Sequence, residues 1–192
     1  MPHDAGSITV ITGCPGSGKT TLASRLADGR DRGVHLSGDV FHDFIAHPIP
    51  PVLPESHEQN TVVIKAIART AAMYALGRYE VFVDGIVGPW FLPTFVNALE
   101  GVPLPLHYIV IRASLGETLR RAASRPAPAE GSVVRHMYEQ FAALGSLEGH
   151  AIDSTAQTEE QTFHGLVQRW LAGEFNLTKP NALRPTPRAR RS

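Results

Sequence analysis

Short runs of β-branched and other apolar residues alternate along this chain with longer stretches in which apolar positions recur every third or fourth residue. The runs at about 7–12, 34–38, 79–84, 106–112 and 149–153 predict strands, and the unbroken apolar character of several of them suits strands buried on both faces. The periodic stretches predict helices at about 19–28, 40–46, 57–77, 90–100, 115–125, 133–144 and 159–175. In the last of these, Phe163, Leu166, Val167, Trp170 and Leu171 share one stripe, which predicts that the helix packs against the sheet. Strands separated by helices predict an α/β fold in three layers, a parallel sheet with helices on both faces. Prolines make residues 47–54 a stiff loop, and a second interruption at 125–131 separates two helical patterns. There is no internal repeat.

Composition adds bounds. With 192 residues, 43% hydrophobic and 19% charged, the chain suits one domain with a sizeable core. The formal charge of zero conceals an asymmetry, because Lys179, Arg184, Arg188, Arg190 and Arg191 stand in an acid-free tail. Taking those five from the 18 basic residues leaves 13 against 18 acidic ones, so the body is acidic by five. We therefore expect a folded domain over 1–178 and a basic, disordered tail over 179–192. Cys14 is the one cysteine, which rules out an internal disulfide and a Cys-rich zinc site and fits a reducing compartment. The nine histidines lack metal-ligand spacing, and His42, His47 and His57 read as surface or pocket-lining groups. The start MPHDAGSITV lacks signal-peptide character and no stretch has the length of a membrane span. The expectation is a soluble, cytoplasmic protein without a membrane partner, monomeric or homodimeric.

The chemistry begins at residues 13–20, GCPGSGKT. Gly13, Gly18, Lys19 and Thr20 occupy the defining positions of G-x-x-x-x-G-K-[ST], preceded by a predicted strand and followed by a helix. Small residues here let backbone N–H groups converge on phosphate oxygens, and the helix presents its positive end to the same anion. Lys19 is placed to reach the β- and γ-phosphates and Thr20 to offer its hydroxyl to Mg²⁺. The expected ligands are ATP and Mg²⁺, held by Gly13, Cys14, Pro15, Gly16, Ser17, Gly18, Lys19, Thr20 and Thr21. Helix-terminus amides at the loop would lower the pKa of Cys14; a spectator role fits it better.

In open parallel sheets, ligands bind beyond the carboxyl ends of the strands. That rule singles out Asp39 after the second strand, Asp84 and Gly85 after the third, the arginine-rich helix after the fourth, and Ser154 and Thr155 after the fifth. Phosphoryl transfer needs positioning, a metal, cations around the moving group and an acceptor for a proton. Asp39 is assigned as general base or hydroxyl orienter, and Asp84 to the Mg²⁺ water shell or to the acceptor; Thr20, Asp39 and Asp84 are the metal candidates. An N-cap role for Asp39 and a turn role for Asp84 are the plainer alternatives. Phe41, Asp84, Gly85 and Trp90 join Asp39 as acceptor-binding candidates, although Trp90 and Phe91 suit core packing equally well. Arg120, Arg121 and Arg125 on one helix suit a short lid that neutralises charge over the nucleotide. Glu117, three and four residues earlier, offers a salt-bridged solvent face instead. Arg112 and Arg135 are less well placed.

The combination of GCPGSGKT, LSGDVF, VFVDG and an arginine helix before an interruption resembles the small P-loop kinases related to gluconate kinase, shikimate kinase, adenylylsulfate kinase and chloramphenicol phosphotransferase. The resemblance covers about residues 7–175. It implies strand order 2-3-1-4-5, an acceptor hydroxyl beside Asp39, and Arg121 and Arg125, with Arg120 less securely, on the ATP phosphates or adenine. It also implies that the loop 154–158 borders the adenine. Lys19, Asp39, Arg121 and Arg125 are thus the expected catalytic group.

One departure bears on the acceptor. Nucleoside monophosphate kinases hold the acceptor's phosphate with arginines or lysines between the second and third strands, and here nothing basic except histidine occurs between Arg32 and Lys65. A phosphate dianion without a paired cation is expensive to enclose. Lys65 and Arg69 share a polar helix stripe with Glu58 and Thr61, most simply a solvated face, whereas Asp43, Glu55 and Glu58 would tolerate a cation. The expected function is ATP-dependent phosphorylation of a hydroxyl on a small neutral or cationic molecule: a sugar, an alcohol or an antibiotic. A cytidylate-kinase-like nucleotide kinase and a regulatory ATPase without a small acceptor are the alternatives. A nucleic-acid 5′-hydroxyl kinase using the basic tail conflicts with the acidic body.

Overall fold

The computed structural model describes residues 6–124 and 129–177. Five parallel strands form one sheet: β1 (Ser7–Gly13), β2 (Gly33–Ser37), β3 (Glu80–Asp84), β4 (Leu106–Arg112) and β5 (Ala151–Asp153). Their order across the sheet is β2-β3-β1-β4-β5, as the family resemblance implies. The helices are α1 (Lys19–Asp28), α2 (Gly38–Asp43), α3 (His57–Leu76), α4 (Leu92–Ala98), α5 (Leu115–Ala123), α6 (Gly131–Ala142) and α7 (Glu159–Leu171).

Alternation along the strands builds two cores. From β1, Ile8 and Val10 join one core with α3, α4 and α6. Ile11 joins the other, with Leu22 and Leu26 of α1 and Leu166 and Trp170 of α7. Burial on both faces explains why these strands read as unbroken apolar runs. Among the polar residues within the strands, Thr9 is paired: the Trp170 indole donates to its Oγ1 at 3.2 Å.

Most differences from the sequence expectations lie at element ends. The last helix stops at Leu171 rather than 175, and Leu171 is 66% exposed instead of joining the stripe. The physical reason is that the chain turns after Ala172 and places Phe175 in that core. β5 is short and pairs only along Val110–Arg112, so residues 175–177 cover the remaining edge of β4. There, the Tyr108 amide donates to Phe175 and the Leu177 amide to Leu106. α2 begins directly at the end of β2, two residues before the expected start, with Ser37 rather than Asp39 as its N-cap. α4 begins after Trp90 and Phe91, with Pro93 in its first turn. Among the described residues no helix is long and apolar enough to cross a membrane.

Candidate active site

β1 ends at Gly13 and α1 begins at Lys19, so residues 14–18 form the connecting loop. Gly13 (φ 147°) and Gly16 (φ 82°) adopt backbone conformations that side chains disfavour. A Cβ on Gly13 would stand 2.2 Å from the Ile111 carbonyl oxygen, and one on Gly16 2.8 Å from the Ala122 amide nitrogen. The loop is therefore pressed between β4 and α5. α1 has no side-chain cap and no acid in its first turn, which leaves its positive end uncompensated. The Ser17 hydroxyl is buried without a hydrogen-bond partner, and Lys19, two residues further on, is buried too. An anion rich in acceptor oxygens fits this cradle. Burial pushes the Cys14 thiol up to about 11 and outweighs the charge of Lys19, so the expected helix-terminus effect on Cys14 is overridden.

The two aspartates separate. Asp84, at the end of β3 and 2% exposed, accepts from Thr20 Oγ1 at 2.5 Å and lies 2.7 Å from His35 Nε2. Burial alone would raise its pKa, but the hydrogen bonds from His35 and Thr20 and the charge of Lys19 carry it below the ordinary value. Both carboxylate oxygens are thus engaged, one by Thr20 and one by His35, and Asp84 is not part of the cavity lining that includes Asp39. Asp39, in the first turn of α2, is exposed and lines a separate cavity. Strand order decides this division, because β3 lies next to β1 while β2 lies one strand further out.

A cavity of about 520 Å³ opens between the loop, α5 and the segment after β5. Its walls include Gly16, Gly18, Arg120, Arg121, Ser154 and Thr155, bringing together segments that the sequence holds far apart. Arg121 donates to the Ser154 hydroxyl at 3.1 Å and carbonyl at 2.9 Å, and to Glu117 at 2.6 Å. Arg120 makes a two-pronged contact with the same Glu117, at 2.8 and 2.6 Å. These hydrogen bonds, led by Arg120, take the Glu117 pKa down to about 2. The salt-bridged face and the cation-lined cavity are thus one arrangement. Arg125, and with it most of the proposed lid, lies outside the described residues, as does the tail 179–192.

The second cavity, of about 200 Å³, lies across the ends of β2 and β3. Gly38 and Gly85 meet there; a Cβ on Gly38 would be 3.0 Å from the Asp84 carbonyl. Asp39, Gly85 and Trp90 line it, and so do Phe91, Asn60 and Met137. Val87 anchors its wall: the Val87 amide donates to Thr12 Oγ1 at 3.1 Å, and the Tyr108 hydroxyl donates to the Val87 carbonyl at 2.8 Å. Phe41 does not reach this lining; its ring packs edge-on against Phe44. Arg112 is occupied by Glu148 and the carbonyls of Phe141 and Ala142, and Arg135 is exposed on α6. The sequence reading missed His35 and Asn60. His35 stands two residues before Ser37 and hence on the same strand face, a periodicity that marks a side chain without naming its partner.

The strand order and the loop after β1 together define a P-loop kinase-like fold. The chain belongs to the AAA domain family, whose model matches residues 10–138. No curated protein matches it in sequence. Among solved structures it is similar to a sugar kinase from Janibacter sp. HTCC2649, with 21% identity over 87% of this chain and 95% of that one, at TM-score 0.67. A gluconokinase from Sinorhizobium meliloti 1021 shares 21% identity over 88% of this chain and 91% of its own, at TM-score 0.59. A thymidylate kinase from Candida albicans shares 12% over 89% and 94%, at TM-score 0.64. These likenesses carry the fold.

Proposed function

We propose that this protein is an ATP-dependent phosphotransferase that moves the γ-phosphoryl group to a hydroxyl of a small neutral or cationic acceptor. The observation that carries the reading is the Thr20–Asp84 hydrogen bond. It joins the first turn of α1, directly after the loop that walls one cavity, to the residue preceding Gly85, which walls the other. A nucleotide in the first cavity and an acceptor in the second would meet beside Lys19.

The roles follow from placement. Loop residues 13–18 and Lys19 would hold the triphosphate, with Thr21 following on the helix, and Thr20 and Asp84 would hold Mg²⁺ through its oxygens and waters. Among the described residues no cluster of three or more His, Cys, Asp or Glu could hold a metal alone, which suits an ion that arrives with phosphates. ATP and Mg²⁺ supply the activated phosphoryl group and charge neutralisation. Arg120 and Arg121, with Ser154 and Thr155, would border the nucleotide, and Arg125 is proposed for the same task from sequence alone. Asp39 would orient the acceptor hydroxyl and take its proton as the new O–P bond forms and the bond to ADP breaks.

ADP release measured with Mg²⁺-ATP against sugars, alcohols, antibiotics, nucleosides and nucleotides tests the proposal. Acceptor-dependent stimulation over the hydrolysis background is expected; a uniform slow hydrolysis would favour the regulatory ATPase instead. Strong turnover of CMP, UMP or AMP would establish the nucleotide-kinase alternative. We place the kinase domain at 1–178, so removing 179–192 should leave turnover intact; loss of salt-sensitive oligonucleotide binding on that deletion would revive a nucleic-acid acceptor.

A further inference from the structure

The second cavity has a chemical character of its own. Among the described residues that line it, Asp39 is the one acid and there is no lysine or arginine. Ile64, Ile67, Val87, Phe91 and Met137 bring buried apolar surface to it, and Trp90 stands 39% exposed against the ring of Phe141. Two lining residues carry buried polar atoms without a protein partner: Asn60 Oδ1 and His42 Nδ1. The orientation of the Asn60 amide is fixed by chemistry. Its nitrogen donates to the Pro51 carbonyl at 2.8 Å and to Ser56 Oγ at 2.9 Å, and a carbonyl only accepts. The oxygen is therefore the end left over, a buried acceptor that lacks a donor. His42 lies one turn from Asp39 on α2, and burial pushes its imidazole below the ordinary range, so it adds no cation at neutral pH.

Each feature selects against a different class of acceptor. A carboxylate or phosphate would lose hydration beside Asp39 with no lysine or arginine in the lining to replace it, and the second imidazole there, His136, is paired with Gln140 at 3.2 Å. A sugar bearing hydroxyls on every face would bury several of them against Ile64, Ile67 and Met137. An unpaired acceptor atom rewards a ligand that donates to it and penalises an analogue that does not.

We propose that this cavity takes an uncharged acceptor with one apolar face, held by a second hydroxyl or amide that donates to Asn60 Oδ1, and rejects acceptors bearing carboxylate or phosphate. The inference rests on the acceptor reading of the cavity given above, and it narrows neutral or cationic to neutral and amphiphilic.

Three matched probes test it: 1,4-cyclohexanedimethanol, its mono-O-methyl ether and 4-(hydroxymethyl)cyclohexanecarboxylate. Binding is read from quenching of Trp90 fluorescence, identified by its absence in Trp90→Phe, and transfer from ADP release with Mg²⁺-ATP. The diol is expected to bind at least about ten-fold more tightly than the carboxylate and the ether, a factor ordinary for one unpaired buried group. In Asn60→Leu the diol and ether should become equal, whereas a merely structural role for Asn60 would weaken both alike. Val52 lines the cavity and is half exposed, so Val52→Arg should fold and raise carboxylate binding to the level of the diol. Preferred binding of the diol without ADP release keeps this inference and removes the phosphotransferase reading. Equal or tighter binding of the carboxylate, or no quench by the diol, overturns the inference, while ADP release with any other acceptor leaves the phosphotransferase reading standing.

Discussion

The Thr20 hydroxyl donates to the Asp84 carboxylate across 2.5 Å, although 64 positions of sequence separate the two residues. One stands in the first turn of α1 and the other at the end of β3, and the parallel pairing of β1 with β3 brings those ends side by side. Thr20 and Asp84 are thereby held as a pair by the sheet.

That pair should set the magnesium requirement. Asp84→Asn keeps the shape and removes the charge, and is expected to lower ADP release by about 10²-fold or more while raising the Mg²⁺ concentration needed for half-maximal rate. Lys19→Ala should abolish transfer as well. A magnesium titration of Asp84→Asn that overlays the parent curve would remove Asp84 from the metal side.

Asp39 should act on the other side of the reaction. Asp39→Asn is expected to reduce turnover by about 10²–10⁴-fold, the ordinary range for a lost general base, with ATP affinity nearly unchanged. Isothermal calorimetry with Mg²⁺-ATP separates the two effects. Turnover equal to the parent would transfer the proton to another acceptor.

Acid should loosen the arginine cluster in a defined window. Glu117 has a folded pKa of about 2, below its ordinary 4.5, because Arg120 and Arg121 donate to it. A depressed carboxyl contributes stability that is complete above the unfolded pKa and is lost as pH falls through the folded one. Melting temperature should therefore fall between about pH 4.5 and 2, and Glu117→Gln should show a shallower fall there. The difference should be small, since Glu117 is solvent-screened. Identical slopes would show that the cluster adds nothing to the folded state.

The wall of the second cavity should depend on a residue with no access to solvent. Tyr108 is fully buried, and its hydroxyl donates to Val87 at 2.8 Å. Tyr108→Phe should cost about 1 kcal/mol in urea unfolding, with the buried Val87 carbonyl losing its donor. A stability equal to the parent would mean that this carbonyl finds another donor.

Burial of Cys14 predicts slow chemistry at its thiol. With its pKa pushed up to about 11, it should resist thiol reagents at neutral pH in the native protein and react promptly once urea unfolds the chain. Fast native labelling at pH 7 would show that the loop opens on its own.

The strands and the loop of residues 13–20 were legible in the sequence because their signals are local: an apolar run buried on both faces needs no knowledge of its neighbours, and glycine marks a tight backbone wherever it stands. Helix ends were less so. Leu171 continues the apolar period of α7 yet faces solvent, because Phe175, beyond the helix, takes the place in the core. Asp39 and Asp84 looked alike in sequence, each an acid closing an apolar run.

Sequence alone determined that this chain forms a parallel α/β sheet with a phosphate-binding loop after its first strand, since periodicity and glycine spacing act over a few residues. The tertiary structure decided where each aspartate stands. Placing β3 rather than β2 against β1 puts Asp84 on Thr20 and leaves Asp39 facing a cavity without lysine or arginine among its described walls. Such adjacency is a product of packing between segments distant along the chain, and no local pattern encodes it.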